Sequence, residues 1–230
     1  MTWRERAADA QARYGSGESR ELDQRQLTQL GNAAWAAGVC LLMDGRRDEA
    51  GGWLRRAAER YRESWDAGAP PGSWGRPIAA MKALLLAGDD ASDAARWALD
   101  AGAAESASAI GAYAAVLAFL VLGRDVDARI AAEALVERED FPRDVADALL
   151  MIAGLDRNEY AADVSSVLES FERRDEFLED CRVADTVLVL QILAARRDMA
   201  VELPESELLP PPCNDGVTAP TRSRDGDCPR

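Results

Sequence analysis

Apolar positions recur along most of the chain at intervals of three or four residues, the spacing of one face of an α-helix. Trp53, Ala57, Tyr61 and Trp65 follow one another at every fourth position, and residues 145–152 carry a second such stripe. No segment alternates apolar and polar positions with β-branched residues, as a half-buried strand does. The pattern therefore predicts an all-α protein.

Four glycines divide the predicted helices at similar intervals. Gly45, Gly88, Gly123 and Gly154 each follow an apolar run and precede acidic residues. Glycine adopts the left-handed conformation that ends helices, and acids favour the start of the next one. The intervals bracket the period of about 34 residues of tetratricopeptide repeats, which the chain resembles. We expect stacked antiparallel helical hairpins whose first helices line a concave face, with an irregular helical bundle as the alternative.

A change in composition near the C-terminus sets the predicted domain boundary. Leu208 and Leu209 lie in a proline-bounded stretch that we expect to be extended and packed on the last helix. Residues 211–230 contain prolines and small polar residues with few apolar ones, too few to bury a core. The sequence predicts one helical domain over residues 1–210 and a disordered tail over residues 211–230.

The charge balance and the absence of histidine exclude several kinds of function. The formal net charge is −14, and residues 133–180 alone contribute −10. An acidic chain does not suit binding to nucleic acid through its phosphates. Without histidine there is no Ser-His-Asp triad, and most transition-metal sites lose their commonest ligand. We expect no cofactor and no metal. The acidic excess indicates either a salt-adapted composition or a basic partner.

The apolar runs and the cysteines indicate a cytoplasmic protein. The charged N-terminus lacks the apolar core of a secretory signal. The longest apolar stretch, residues 109–123, is too short to span a bilayer, so we expect no membrane association. Cys40 and Cys181 lie among apolar or helical neighbours and are predicted to be buried free thiols. Cys213 and Cys228 fall in the predicted tail, where their pairing stays open.

Four residues are candidates for contact with a partner protein. Trp74 follows the Pro70–Ser73 turn and stands close to Arg76, and Trp and Arg are residue types that anchor interfaces. A structural packing role for Trp74 is the competing interpretation. Asn32 and Trp35 lie on the first helix of the first predicted repeat and are candidates for lining a groove.

Two short patches resemble the immunity protein 49 family of polymorphic toxin systems. The first comprises Pro71-Gly72-Ser73-Trp74, Ala79-Ala80 and Leu85-Leu86-Ala87-Gly88-Asp89, and the second comprises Leu190-Gln191-Ile192-Leu193-Ala194-Ala195 and Glu205-Ser206-Glu207-Leu208-Leu209-Pro210. Leu208 stands where that family carries an aromatic residue, and Trp74 carries over by position. The resemblance implies an all-α fold and a protein toxin as the partner.

These observations predict a non-catalytic protein-binding module. The resemblance implies a sharper form, an inhibitor that covers a toxin, and the acidic residues 133–180 would then steer it toward a basic partner. A generic tetratricopeptide-like adaptor is the first alternative. The second is an enzyme or regulator that uses a carboxylate-lined pocket.

Overall fold

The computed structural model describes residues 1–18 and 21–211, and in this part of the chain the protein is helical without strands. Ten α-helices follow one another, with short 3₁₀ turns at Ala103–Glu105 and Leu178–Asp180. The helices are α1 (Trp3–Gly17), α2 (Gln24–Met43), α3 (Arg47–Asp66), α4 (Gly75–Leu86), α5 (Ser92–Asp100), α6 (Ala109–Val121), α7 (Asp125–Val136), α8 (Arg143–Gly154), α9 (Arg157–Glu172) and α10 (Asp185–Ala195). The predicted all-α class is confirmed.

Polar side chains and left-handed residues set many of the helix ends. Asp23 accepts hydrogen bonds from the amides of the first turn of α2, and Asp156 does the same for α9. Gly45, Gly88 and Gly123 have positive φ after α2, α4 and α6, as their positions predict. At α8 the prediction is wrong by one residue. Gly154 continues the helix, and Leu155 takes the left-handed conformation with φ of 59°.

Each helix from α1 to α9 packs against the next one along the chain, which gives a bundle with sequential contacts. Two glycines of α2 set its close approach to α3. A Cβ at Gly31 would lie 2.8 Å from the Tyr61 ring, and one at Gly38 would lie 2.6 Å from Leu54 Cγ. Glycine is required at both positions because a larger side chain would push the helices apart.

The last part of the chain returns across the earlier helices. We call residues 177–211 the C-terminal segment. Its 3₁₀ turn contacts α2, and its helix α10 contacts α4, α8 and α9. Arg197 donates a hydrogen bond of 2.8 Å to the carbonyl of Leu120 at the end of α6. The segment thus crosses helices from both halves of the bundle and closes what would otherwise be an open stack.

The end of the C-terminal segment packs against the start of α10, and residues 206–209 form a turn where an extended chain was predicted, since the Leu209 amide donates to the Ser206 carbonyl at 3.2 Å. Leu208 is buried, and its carbonyl accepts a hydrogen bond of 2.9 Å from the amide of Ala184, just before α10. Residues 212–230 of the predicted tail, with Cys213 and Cys228, lie outside the described residues.

One ion pair ties α4 to α10. Lys82, the single lysine of the chain, lies 2.6 Å from a carboxylate oxygen of Asp185 and donates to the hydroxyl of Thr186 at 3.0 Å. Both charged side chains are largely buried, with 13% and 16% exposed. Burial by itself lowers the pKa of Lys82, but attraction to the Asp185 carboxylate and to Tyr113, together with the hydrogen bond to Asp185, outweighs it and the pKa is raised.

We predict that Lys82→Met lowers the free energy of unfolding by about 2–4 kcal/mol, because it leaves the Asp185 carboxylate buried without its cation. Urea denaturation measures the change. Lys82→Met/Asp185→Asn should recover part of the loss. The control is Arg96→Met, which removes an exposed pair with Asp93 and should cost less than about 0.5 kcal/mol. A loss in Lys82→Met no larger than in the control would contradict the prediction.

Candidate functional site

An open groove of about 510 Å³ lies between α3 and α5, with α4 at its base. Its lining combines small or apolar side chains with charged ones at the rim. The lining residues are Arg55, Ala58, Glu59, Arg62, Glu63, Ala80, Leu84, Asp89, Asp93, Ala94 and Trp97. Grooves with an apolar floor and a few polar groups are where proteins take up ligands or segments of partners.

One face of α3 forms a whole side of the groove. Five of its residues are spaced three or four positions apart and so project from the same face of the helix: Arg55, Ala58, Glu59, Arg62 and Glu63. The opposite face of α3 is buried in the bundle. The helix therefore separates the bundle core from the groove, and alanine at the centre of its outer face keeps the groove open.

A cluster of three tryptophans supports the groove from one end. The ring centroids of Trp65 and Trp97 lie 5.6 Å apart in an edge-to-face arrangement, and those of Trp65 and Trp74 lie 6.0 Å apart. The Arg62 guanidinium stands 4.8 Å from the centroid of the Trp97 ring. Edge-to-face stacking favours one relative position of the rings and so helps to hold α3, α4 and α5 in register.

Trp97 also carries an unsatisfied polar group. Its indole Nε1 is buried and has no hydrogen-bond acceptor, and it is the one side-chain nitrogen or oxygen in this condition within residues 1–18 and 21–211. Such a group costs about 1–3 kcal/mol of folding free energy. Its presence in a residue that lines the groove distinguishes this region from the rest of the bundle.

The charges at the rim are mostly paired, and the excess is acidic. Arg55 forms two hydrogen bonds of 2.9 Å with the Asp89 carboxylate. Glu63 pairs with Arg60 at 2.6 Å, outside the groove. Glu59 is exposed and has no ion pair within the described part of the chain. The lining holds four carboxylates and two guanidinium groups, so its formal charge is −2.

None of the four predicted partner contacts lines the groove: Trp35 and Trp74 are buried in the bundle, and Asn32 and Arg76 are half-buried. Trp35 is 4% exposed and Trp74 is 7% exposed. Asn32 is half-buried and accepts a hydrogen bond of 2.9 Å from the Tyr61 hydroxyl. Arg76 donates to Ser64 at 2.8 Å and to Gln24, and burial lowers its pKa. Their role toward a partner stays a prediction, and for Trp35 and Trp74 it would require the bundle to open.

The groove was not predictable from the sequence, because most of its residues are of types common on exposed helix surfaces. Arginine, glutamate and alanine on an outer helix face are typical of a solvated surface. The groove arises from the spacing of α3 and α5, which the intervening α4 and the tryptophan cluster set. Only the small residues at its centre, Ala58, Ala80 and Ala94, gave a signal, and alanine is common throughout this chain.

A cluster of carboxylates lies on α8 and α9, within the acidic residues 133–180. Asp163 is partly buried on α9, close to Asp147 and Arg143 of α8 and to Glu159 of its own helix. Burial, followed by repulsion from Asp147, Glu159 and Asp156, raises the pKa of Asp163 to about 6, and the Arg143 charge opposes this only in part. The carboxylates here repel one another at neutral pH.

No protein-family model, curated protein or solved structure matches this chain. None of the helices in residues 1–18 and 21–211 has both the length and the apolar character needed to cross a membrane. The same residues contain no group of three or more His, Cys, Asp or Glu side chains placed to hold a metal ion. The resemblances to tetratricopeptide repeats and to immunity protein 49 stay predictions.

We predict that protonation of Asp163 increases the free energy of unfolding as the pH falls from about 7 to 4. A carboxyl group whose pKa is higher in the folded than in the unfolded state favours folding once it is protonated. Asp163→Asn should therefore raise the free energy of unfolding at pH 7.5 by roughly 1 kcal/mol, after allowance for solvent screening.

Urea denaturation between pH 4 and pH 8 measures this effect. The matched control is Asp175→Asn, which removes an exposed carboxylate beyond the end of α9. If Asp163→Asn and Asp175→Asn change stability equally at pH 7.5, burial and repulsion at Asp163 are not the cause.

Proposed function

We propose that this chain is a non-catalytic protein-binding module that holds a helical segment of its partner in the groove between α3 and α5. The observation that carries the proposal is the groove itself, which has small and apolar side chains at its floor, charged side chains at its rim and an opening to solvent. Amphipathic helices dock into such grooves through apolar residues repeated every three or four positions.

The chemistry of the rim selects the kind of segment. The floor consists of Ala58, Ala80, Leu84, Ala94 and Trp97, of which Leu84 is partly exposed and the other four keep 2–7% of their surface exposed. The acidic excess at the rim favours lysine or arginine on the flanks of the bound helix. The proposed occupant is therefore a basic amphipathic helix of another protein.

We predict that an 18-residue Leu/Lys amphipathic peptide binds the groove and that Glu59→Arg weakens its binding about 5- to 10-fold. The reversal places a like charge against the basic flank without touching the core, since Glu59 is exposed. Ala94→Leu should weaken binding by filling the floor. Isothermal titration calorimetry measures both effects, and thermal unfolding checks that each variant folds.

Two controls separate the groove from general charge attraction. Glu139→Arg makes the same change in charge at an exposed position outside the groove and should alter binding less than twofold. A Leu/Glu peptide with the same apolar pattern should not bind. The proposal is contradicted if the Leu/Lys peptide binds the wild type, Glu59→Arg and Ala94→Leu with equal affinity.

A second and sharper function is inhibition of a basic toxin, which the net charge of −10 over residues 133–180 favours. Opposite charge accelerates encounter over distances of about one Debye length. In this case the gene lies beside that of a toxin, and its deletion harms cells only while the neighbour is intact. A deletion without effect beside an intact toxin gene excludes this function but leaves the groove proposal standing.

If the acidic residues steer this encounter, raising the salt concentration from about 50 to 200 mM should slow association with the neighbouring gene product several-fold and leave dissociation nearly unchanged. Stopped-flow or surface plasmon resonance separates the two rates. Asp163→Asn together with Asp147→Asn should reduce the salt dependence. An association rate insensitive to salt would contradict steering by this region.

A further inference from the structure

The two cysteines of the described chain face each other across the contact between α2 and the C-terminal segment. The sulfur of Cys40, on α2, lies 3.4 Å from the sulfur of Cys181, although 141 positions separate them in sequence. Both are free thiols and both are buried, as the sequence predicted for each separately. Their pairing was not predicted, since it depends on the return of the C-terminal segment to the first hairpin.

Charged contacts hold Cys181 in place opposite Cys40. Arg13 of α1 forms an ion pair of 2.5 Å with Glu179, and Arg6 donates a hydrogen bond of 3.1 Å to the carbonyl of Asp180. These contacts fix the two residues directly before Cys181. They position the backbone on the N-terminal side of Cys181 and so support the sulfur–sulfur approach.

An opening on the surface reaches Cys181 of this pair. It has a volume of about 300 Å³ and is lined by Arg6, Arg13, Glu179 and Cys181 among others. A molecule of the size of hydrogen peroxide fits within it easily. The wall carries two arginines and three carboxylates, so its charges do not by themselves favour a thiolate at Cys181.

The pair shares a proton in a way that favours one thiolate. The hydrogen bond with Cys181 lowers the pKa of Cys40, burial opposes this, and the charges of Arg6 and Arg13 add to the lowering. The pKa of Cys181 is raised in turn, because its proton is held in the same hydrogen bond and the thiol is buried. The thiolate of the pair is therefore at Cys40, and this sulfur is placed to accept the proton of Cys181 when Cys181, which lines the opening, reacts.

We propose that Cys40 and Cys181 are a thiol-oxidation site, at which peroxide converts the pair into a disulfide that fastens the C-terminal segment to α2. The sulfur of Cys181 attacks one oxygen of hydrogen peroxide while the Cys40 thiolate takes the Cys181 proton, the O–O bond breaks, and a sulfenic acid and hydroxide form. The Cys40 thiol then attacks that sulfur, its proton is released, and hydroxide leaves from the sulfenic acid. In total two thiols and one peroxide give one disulfide and two water molecules.

The disulfide would change how firmly the bundle is closed. Forming it brings the sulfurs to about 2.05 Å, which requires a small rotation of the two side chains. It links α2 to the C-terminal segment, whose helix α10 packs on α4 and α8, and so restricts separation of this segment from the rest of the bundle. Because the closed loop is long, the restriction of the unfolded chain is large. This inference does not depend on the proposed function of the groove.

The experiment uses the full chain with Cys213→Ser and Cys228→Ser, so that the cysteines outside the described residues do not exchange. After titration with hydrogen peroxide, intact mass should fall by about 2 Da, and proteolysis should yield a peptide linking Cys40 to Cys181. The Tm should rise by about 4–12 °C and return on addition of dithiothreitol. Amide exchange in residues 36–43 and 178–184 should slow.

Single variants supply the controls. With Cys40→Ala or Cys181→Ala the remaining thiol should stop at a sulfenic or sulfinic acid, with added oxygen in the mass and no rise in Tm. In one test the folded protein is treated with peroxide, then unfolded and alkylated. The proposal fails if both thiols are still alkylated. It also fails if the disulfide appears only in denaturant, or if it forms without raising the Tm. Each readout uses the folded parent protein, so misfolding of a single variant does not affect the conclusion.

Discussion

Burial of the C-terminal segment against the earlier helices is the contact on which the rest of the structure depends. Helix α10 is largely apolar: Val187, Val189, Leu190 and Leu193 are buried, and one face with Leu188, Gln191 and Ile192 is partly exposed. A helix of this kind is stable only when protein surrounds it. The same is true of α2 from Ala33 onward and of α6. Each of these helices supplies the apolar surface that another one lacks, so closure of the bundle and formation of its core are one event.

Closure also determines which surface remains for a partner. In an open stack of hairpins the first helices of the pairs offer a concave face, and Asn32 and Trp35 were expected there. In the closed bundle α10 packs on α4, α8 and α9, Trp35 is buried and Asn32 is half-buried. The groove between α3 and α5 lies elsewhere, supported by the buried Trp74 and Trp97 rings and the partly buried Trp65 ring. Binding at this groove would leave closure intact, whereas oxidation of the cysteine pair acts on closure itself.

Local features of the fold were predictable from the sequence, and the long-range ones were not. Helix spacing, the caps at Gly45, Gly88 and Gly123, and the buried stripe through Ala57 and Tyr61 all follow from neighbouring residues. The return of α10 to α4 depends on complementary surfaces far apart in sequence, which no periodicity reveals. Leu155 shows the limit at short range: it is 58% exposed and takes the left-handed conformation predicted for Gly154, and the amide of Asp156 donates to the Met151 carbonyl at 3.0 Å to close the helix end. The groove and the thiol pair were missed for the long-range reason: neither exists until distant segments meet.

The place of Lys82 has a practical consequence. It is the single ε-amine of the chain, and it lies between α4 and α10 with most of its surface covered. Lysine-directed acylation, amine crosslinking and cleavage by a lysine-specific protease therefore have one internal target, which native packing protects. The rate of cleavage after residue 82 consequently reports how often α10 parts from α4. Local opening between α10 and α4 can thus be measured on the unmodified protein, without a label or a substitution.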